Sequence, residues 1–174
     1  MIREEFFNAQ QWKFKNNNSP IIFTSCSAAV SYKGLHVLIK SVALLIQEFP
    51  DVQLRIAGQV NVGNKLLDGY SVFLNKLVKK LGLSNNVIFL GSLNANDLIK
   101  EIQDCNVVVV PSFIETYCLA FAEAMLIGAP VVVSYAGAMP ELAIHEKEAL
   151  FYNPNDIGMC ASYIKQLINN QDYS

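Results

Sequence analysis

Two acidic residues in this 174-residue sequence stand where chemistry is possible: Glu115 and Glu123, with seven residues between them. Glu115 follows Pro111-Ser112-Phe113-Ile114, and Glu123 sits among Phe121, Ala122, Ala124 and Met125. A carboxylate in so apolar a setting is costly unless it is paired or engaged with a ligand. Carboxylates accept hydrogen bonds, so two of them suit the hydroxyls of a sugar or a ribose. Thr116 is placed to cap a helix, which would leave the amides of Tyr117, Cys118 and Leu119 open to an anion. Lys33 stands just before the first long helical pattern, where a point charge can neutralise a phosphate. The plainer alternative makes Glu115 a loop residue, Glu123 an exposed helix position and Lys33 a solvated side chain.

These residues need a frame, and the hydropathy pattern supplies one. Apolar runs at 21–26, 52–57, 87–90, 107–110, 131–134 and 149–152 read as strands. Leu35, Leu38, Ile39, Val42, Leu45, Ile46 and Phe49 recur at steps of three and four, which predicts a helix up to Pro50. Further helices are predicted at 70–81, 97–103, 119–127 and 157–168, with a helical turn at 141–144. Strands alternating with helices require crossovers and hence a parallel sheet. The continuous valines 107–110 and 131–133 fit strands buried on both faces. The predicted fold class is therefore α/β, a doubly wound, Rossmann-like parallel sheet of about six strands flanked by helices. Its usual order, 3-2-1-4-5-6, puts the ligand crevice at the carboxyl ends of strands 1 and 4, between the loops 27–34 and 111–118. Residues 1–19 read as a lead-in or linker, ended by the polar breaker Asn16-Asn17-Asn18-Ser19-Pro20, and 20–174 as the domain. Trp12 and Phe14 are free to pack on the domain or on something beyond it.

Composition removes several classes. With 52% hydrophobic and 16% charged residues the chain is not a disordered one. A general nucleic-acid binder needs a basic face, and a net charge of −2 argues against one. The loop after strand 1, Ser27-Ala28-Ala29-Val30-Ser31-Tyr32-Lys33-Gly34, has no glycine before Gly34, which argues against a dinucleotide fingerprint. Cys26, Cys105, Cys118 and Cys160 are scattered, which suits neither a zinc site nor a disulfide framework and predicts reduced thiols. The apolar stretch 117–136 is interrupted by Glu123 and broken at Gly128-Ala129-Pro130, so it reads as a buried helix and strand, not a membrane span. His36 and His145 read as structural or exposed.

The segment Pro111–Leu142 holds a set of motifs in order: Glu115, Glu123, Ala124-Met125, Gly128-Ala129-Pro130, Gly137 and Pro140-Glu141. Upstream, Lys33-Gly34 precedes the first long helix and Phe89-Leu90-Gly91 closes the third strand. Over about residues 20–170 this set resembles the retaining glycosyltransferases of family 4, the group 1 glycosyltransferases. The resemblance implies the C-terminal, donor-binding half of a GT-B enzyme, completed by an N-terminal acceptor domain and inactive alone. It implies a nucleotide-diphosphate-sugar donor, no metal or other cofactor, and a glycan or lipid-linked acceptor in surface polysaccharide or glycolipid assembly. It implies a cytoplasmic setting, no nucleic acid partner, and membrane contact only through regions outside this chain. By the same resemblance Glu123 binds the ribose, Glu115 holds the donor sugar near the reacting carbon, and Lys33 stabilises the leaving diphosphate. Thr116 and the amides of Tyr117, Cys118 and Leu119 contact phosphate or sugar. Gly91 and Ser92 lie near the base, and Ser27 joins the donor-binding set.

Two departures stand out. The family usually has an arginine five or six residues before its lysine, where this sequence has Ala28 and Ser27. Tyr117-Cys118 replaces the usual Phe-Gly, and a side chain at Cys118 narrows backbone approach to the sugar. The alternatives are a sugar-nucleotide 2-epimerase-like enzyme and a non-catalytic module that binds a nucleotide or a partner protein.

Overall fold

Six apolar runs become one sheet because each strand finds cover on both sides. The computed structural model describes residues 2–16, 18–59 and 69–169. Its strands are β1 (Ile21–Ser25), β2 (Gln53–Ala57), β3 (Val87–Gly91), β4 (Val107–Val110), β5 (Val131–Ser134) and β6 (Leu150–Tyr152). All pairs are parallel and the order is β3-β2-β1-β4-β5-β6, as the alternation of elements predicts. The helices are α1 (Glu4–Phe7), α2 (Leu35–Leu45), α3 (Gly69–Lys80), α4 (Ala95–Asp104), α5 (Leu119–Ile127), α6 (Met139–Leu142) and α7 (Ile157–Asn169).

Side chains alternate across each strand, so consecutive valines serve opposite cores. Val107, Val109 and Val132 join Ile22 and Leu54 beneath α2, α3 and α7. Val108, Val110, Val131 and Val133 join Phe23 on the other face, beneath α1, α4, α5 and α6. The sheet is thus wound on both sides, as predicted.

Several boundaries differ from the sequence expectation: α4 starts two residues early and α6 lies two residues upstream of the predicted turn. Helix α2 stops at Leu45, not at Phe49. Residues 46–49 close as a turn, because the residue before Pro50 is pushed out of the helical region, while Ile46 and Phe49 still pack on the core. Part of the lead-in is ordered on the domain. Phe6 is buried beside α4 and α5, and Trp12 is buried with its indole Nε1 donating to the Cys105 carbonyl at 2.7 Å. The Trp12 amide donates to Ile127 at 2.7 Å, and the Asn106 side chain joins the Lys15 carbonyl to the Ile21 amide. Of the polar breaker, Asn17 lies outside the described residues.

The two loops that face the crevice are fastened to each other. The Phe113 amide donates to the Tyr32 carbonyl at 2.8 Å. Gly34 has φ +70° and lies so close to the Pro111 carbonyl that any side chain there would overlap it. All four cysteines are free and buried. Among the described residues no helix is long and apolar enough to cross a membrane.

Candidate functional site

Chain geometry delivers Lys33 and Glu115 to one place. A short 3-10 turn, Ser31–Lys33, ends at Gly34 and aims Lys33 across the crevice from the loop that follows β4. Lys33 Nζ meets Glu115 Oε1 at 2.6 Å, and the Ser112 hydroxyl donates to the same oxygen at 2.7 Å. Burial by itself would lower the Lys33 pKa. The hydrogen bond and charge of Glu115 outweigh it, so the net shift is upward and the ammonium stays charged.

Glu123 lies on α5 and is only 4% exposed. Its partner is Arg3 of the lead-in. Nε donates to Oε1 at 3.0 Å and Nη2 to Oε2 at 2.8 Å, a bidentate pair. Such a fork compensates a desolvated carboxylate better than a single contact does. The guanidinium also lies over the Phe6 ring, 4.9 Å from its centroid.

Both ion pairs open onto one cavity of about 570 Å³. That volume suits a small-molecule ligand, and it lies at the carboxyl ends of β1 and β4, where the strand order switches direction. Of the residues singled out from sequence, Lys33, Glu115, Thr116, Tyr117, Cys118, Leu119 and Glu123 line it together. Ser27, Gly91 and Ser92 are not among its lining residues. The Ser27 hydroxyl accepts from the Ala29 amide at 3.2 Å in its own loop. Gly91, with φ +72°, ends β3, two strands away from β1, and its carbonyl accepts from the Gly58 amide at 2.8 Å.

The expected helix cap is corrected. Helix α5 starts at Leu119 with Cys118 at the cap position and no side-chain cap bond, so Thr116 sits too early to close it. The amides of the first helical turn still have no intrahelical partner, and they begin at the cavity wall. The setting of Cys118 disfavours its thiolate. Burial, with the Glu115 charge adding to it, pushes its thiol up to about 12.

Sequence reasoning missed Arg3, Ser25, Cys26 and Ser112. Ser112 was within reach, since it stands three residues before Glu115. Arg3 was not, since its partner is 120 positions away.

Comparisons with known proteins identify the family and the fold. A model of the family described as glycosyl transferases group 1 matches residues 6–174, and the chain belongs to that family. It is 30% identical over 140 residues to a D-inositol 3-phosphate glycosyltransferase of Corynebacterium urealyticum, covering 80% of this chain and 33% of that protein. It resembles the solved structure of Anabaena HepE in complex with UDP and glucose, with a TM-score of 0.79, 28% identity, and coverage of 90% of this chain and 40% of that one. The fold alone is shared with the C-terminal domain of a glycosyl transferase group 1 family protein from Francisella tularensis, at a TM-score of 0.79, 20% identity, and coverage of 96% of this chain and 89% of that one. The chain spans roughly a third of the length of the curated relatives it matches. The six-stranded sheet is the Rossmann-like architecture of GT-B glycosyltransferases.

Proposed function

We propose that this chain is the donor-binding part of a retaining glycosyltransferase that draws a hexose from a nucleoside-diphosphate sugar. The observation that supports it most is the convergence of Lys33, Glu115 and Glu123 on one cavity at the switch point of the sheet. The similar structure of Anabaena HepE, solved with UDP and glucose, supports the same donor class.

Each group has a task that its chemistry fits. Glu123 accepts hydrogen bonds from the ribose hydroxyls, and Glu115 accepts from the donor sugar. As the bond from the anomeric carbon to the diphosphate breaks, negative charge grows on the departing oxygen. Lys33, held charged beside Glu115, and the first amides of α5 stabilise that charge without reorganising. Thr116 and Tyr117, which line the cavity, are assigned to the sugar. The acceptor is a glycan or a lipid-linked acceptor, bound by an N-terminal domain of the whole enzyme.

Titration with UDP, GDP and ADP tests this reading. One diphosphate should bind selectively, and Glu123→Gln should weaken it about tenfold or more, because a ribose hydroxyl then loses a charged acceptor. Binding of none of the three, or equal binding by the variant, overturns it. The anomeric configuration of the product, read by NMR, tests retention.

A further inference from the structure

The cavity contains a second cation, and it comes from a distant part of the chain. The sequence has two arginines, Arg3 and Arg55. Arg55 lies on β2 and is committed to Glu101 at 3.1 Å and to Gln53. Arg3 lines the cavity together with Lys33.

Arg3 is only partly spent. A guanidinium has five N–H donors. One on Nε and one on Nη2 go to Glu123, and no other acceptor takes the remaining three among the described residues. The side chain keeps 39% exposure, whereas Glu123 is nearly sealed. The four charges of the cavity, Arg3, Lys33, Glu115 and Glu123, cancel in pairs. An entering dianion therefore meets no net repulsion, and the groups open to it are unspent N–H donors. A planar fork of such donors matches phosphate oxygens better than an ammonium does.

We propose that Arg3 is a donor-binding residue, fixing Glu123 through Nε and Nη2 and presenting its remaining N–H groups to the phosphates of the nucleoside diphosphate. The inference rests on the donor-site reading above. On this arrangement the ribose acceptor and a phosphate donor form one rigid unit, and the cation absent from the loop before Lys33 is supplied by the lead-in.

The test compares diphosphate with nucleoside. UDP, GDP, ADP and the matching nucleosides are titrated calorimetrically into the full protein as wild type, Arg3→Ala and Arg3→Lys, with thermal melts to check folding. Arg3→Ala should weaken the preferred diphosphate about 10- to 100-fold and its nucleoside by less than about threefold. If Arg3→Ala fails to fold because Glu123 loses its counter-charge, Arg3→Lys decides. It should weaken the diphosphate about 3- to 10-fold and leave the nucleoside unchanged, since lysine keeps the charge but not the fork. Equal loss for diphosphate and nucleoside overturns the inference, because Arg3 then acts only through Glu123. Unchanged binding overturns it too, and so does tighter binding, which would make Arg3 an obstruction. If the wild type binds none of the three diphosphates, the donor-site reading falls and takes this inference with it.

Discussion

The Gly137 α-carbon rests against the backbone carbonyl of Glu115, so close that no side chain could stand between them. Gly137 also has φ +55°, a conformation costly for other residues. The loop after β5 thereby holds the loop after β4 in register, and with it the carboxylate that meets Lys33. Gly137→Ala should destabilise the fold by about 2–4 kcal/mol, combining strain with an overlap that backbone cannot relieve. It should also weaken diphosphate binding. A melt and a titration check both, and a variant unchanged in each would show that the two loops move independently.

On the proposed donor-site reading, Lys33→Ala removes the charge that would face the departing diphosphate, and it leaves Glu115 with Ser112 alone. Donor turnover by the whole enzyme should fall about 10²- to 10³-fold, the scale of losing one fixed donor at a developing charge. Nucleoside affinity should hardly change, because the ribose is assigned to Glu123. Steady-state kinetics beside a nucleoside titration separate the two effects, and a turnover loss under threefold would remove Lys33 from the chemistry.

His36 makes stability depend on pH in a predictable direction. Its ring stacks on Phe113 at 5.7 Å and Nδ1 pairs with the Tyr70 hydroxyl at 2.8 Å. Burial, helped by the nearby Lys40 charge, lowers its pKa from the usual value. The native state therefore holds it neutral while the unfolded chain takes up a proton first, near pH 6.5. Its contribution is present above that pH and is lost as pH falls towards the lower folded pKa. Urea unfolding at pH 7.5 and pH 5.5 should show the decline, and His36→Gln should flatten it. An equal slope in the variant would assign the decline to other groups.

Trp12→Ala should cost about 3–5 kcal/mol, the range for emptying a buried indole site. The loss would combine a cavity beside Phe14 and α4 with an unpartnered Cys105 carbonyl. Chemical denaturation measures it. A variant within 1 kcal/mol of wild type would mean that the lead-in contributes little to the fold.

The sheet was legible because its physics is local. Four consecutive valines at 107–110 can serve two cores only as a strand covered on both faces, and helical spacing in α2 and α3 needs no tertiary knowledge. Glu115 and Glu123 were legible because carboxylates among apolar neighbours require a reason. Helix α1 was not, since four residues are too few to show a period. The Thr116 cap was misplaced because a good capping residue stood near the helix start, while the structure puts Cys118, a poor one, at the cap. Strand order brought Ser27, Gly91 and Ser92 to the correct edge of the sheet, but loop packing, which spacing does not report, decides which residues reach the cavity.

The ordered lead-in sets the size of the portable unit for anyone building chimeric transferases. A graft cut at Pro20 would discard Phe6 and Trp12 from the core and Arg3 from Glu123 in one stroke. It would expose apolar surface along α5 and strand a sealed anion, two faults that favour aggregation over exchange of specificity. A transplant that begins ahead of Arg3 moves the domain together with its own counter-charge, and on the proposed donor-site reading donor preference should travel with it.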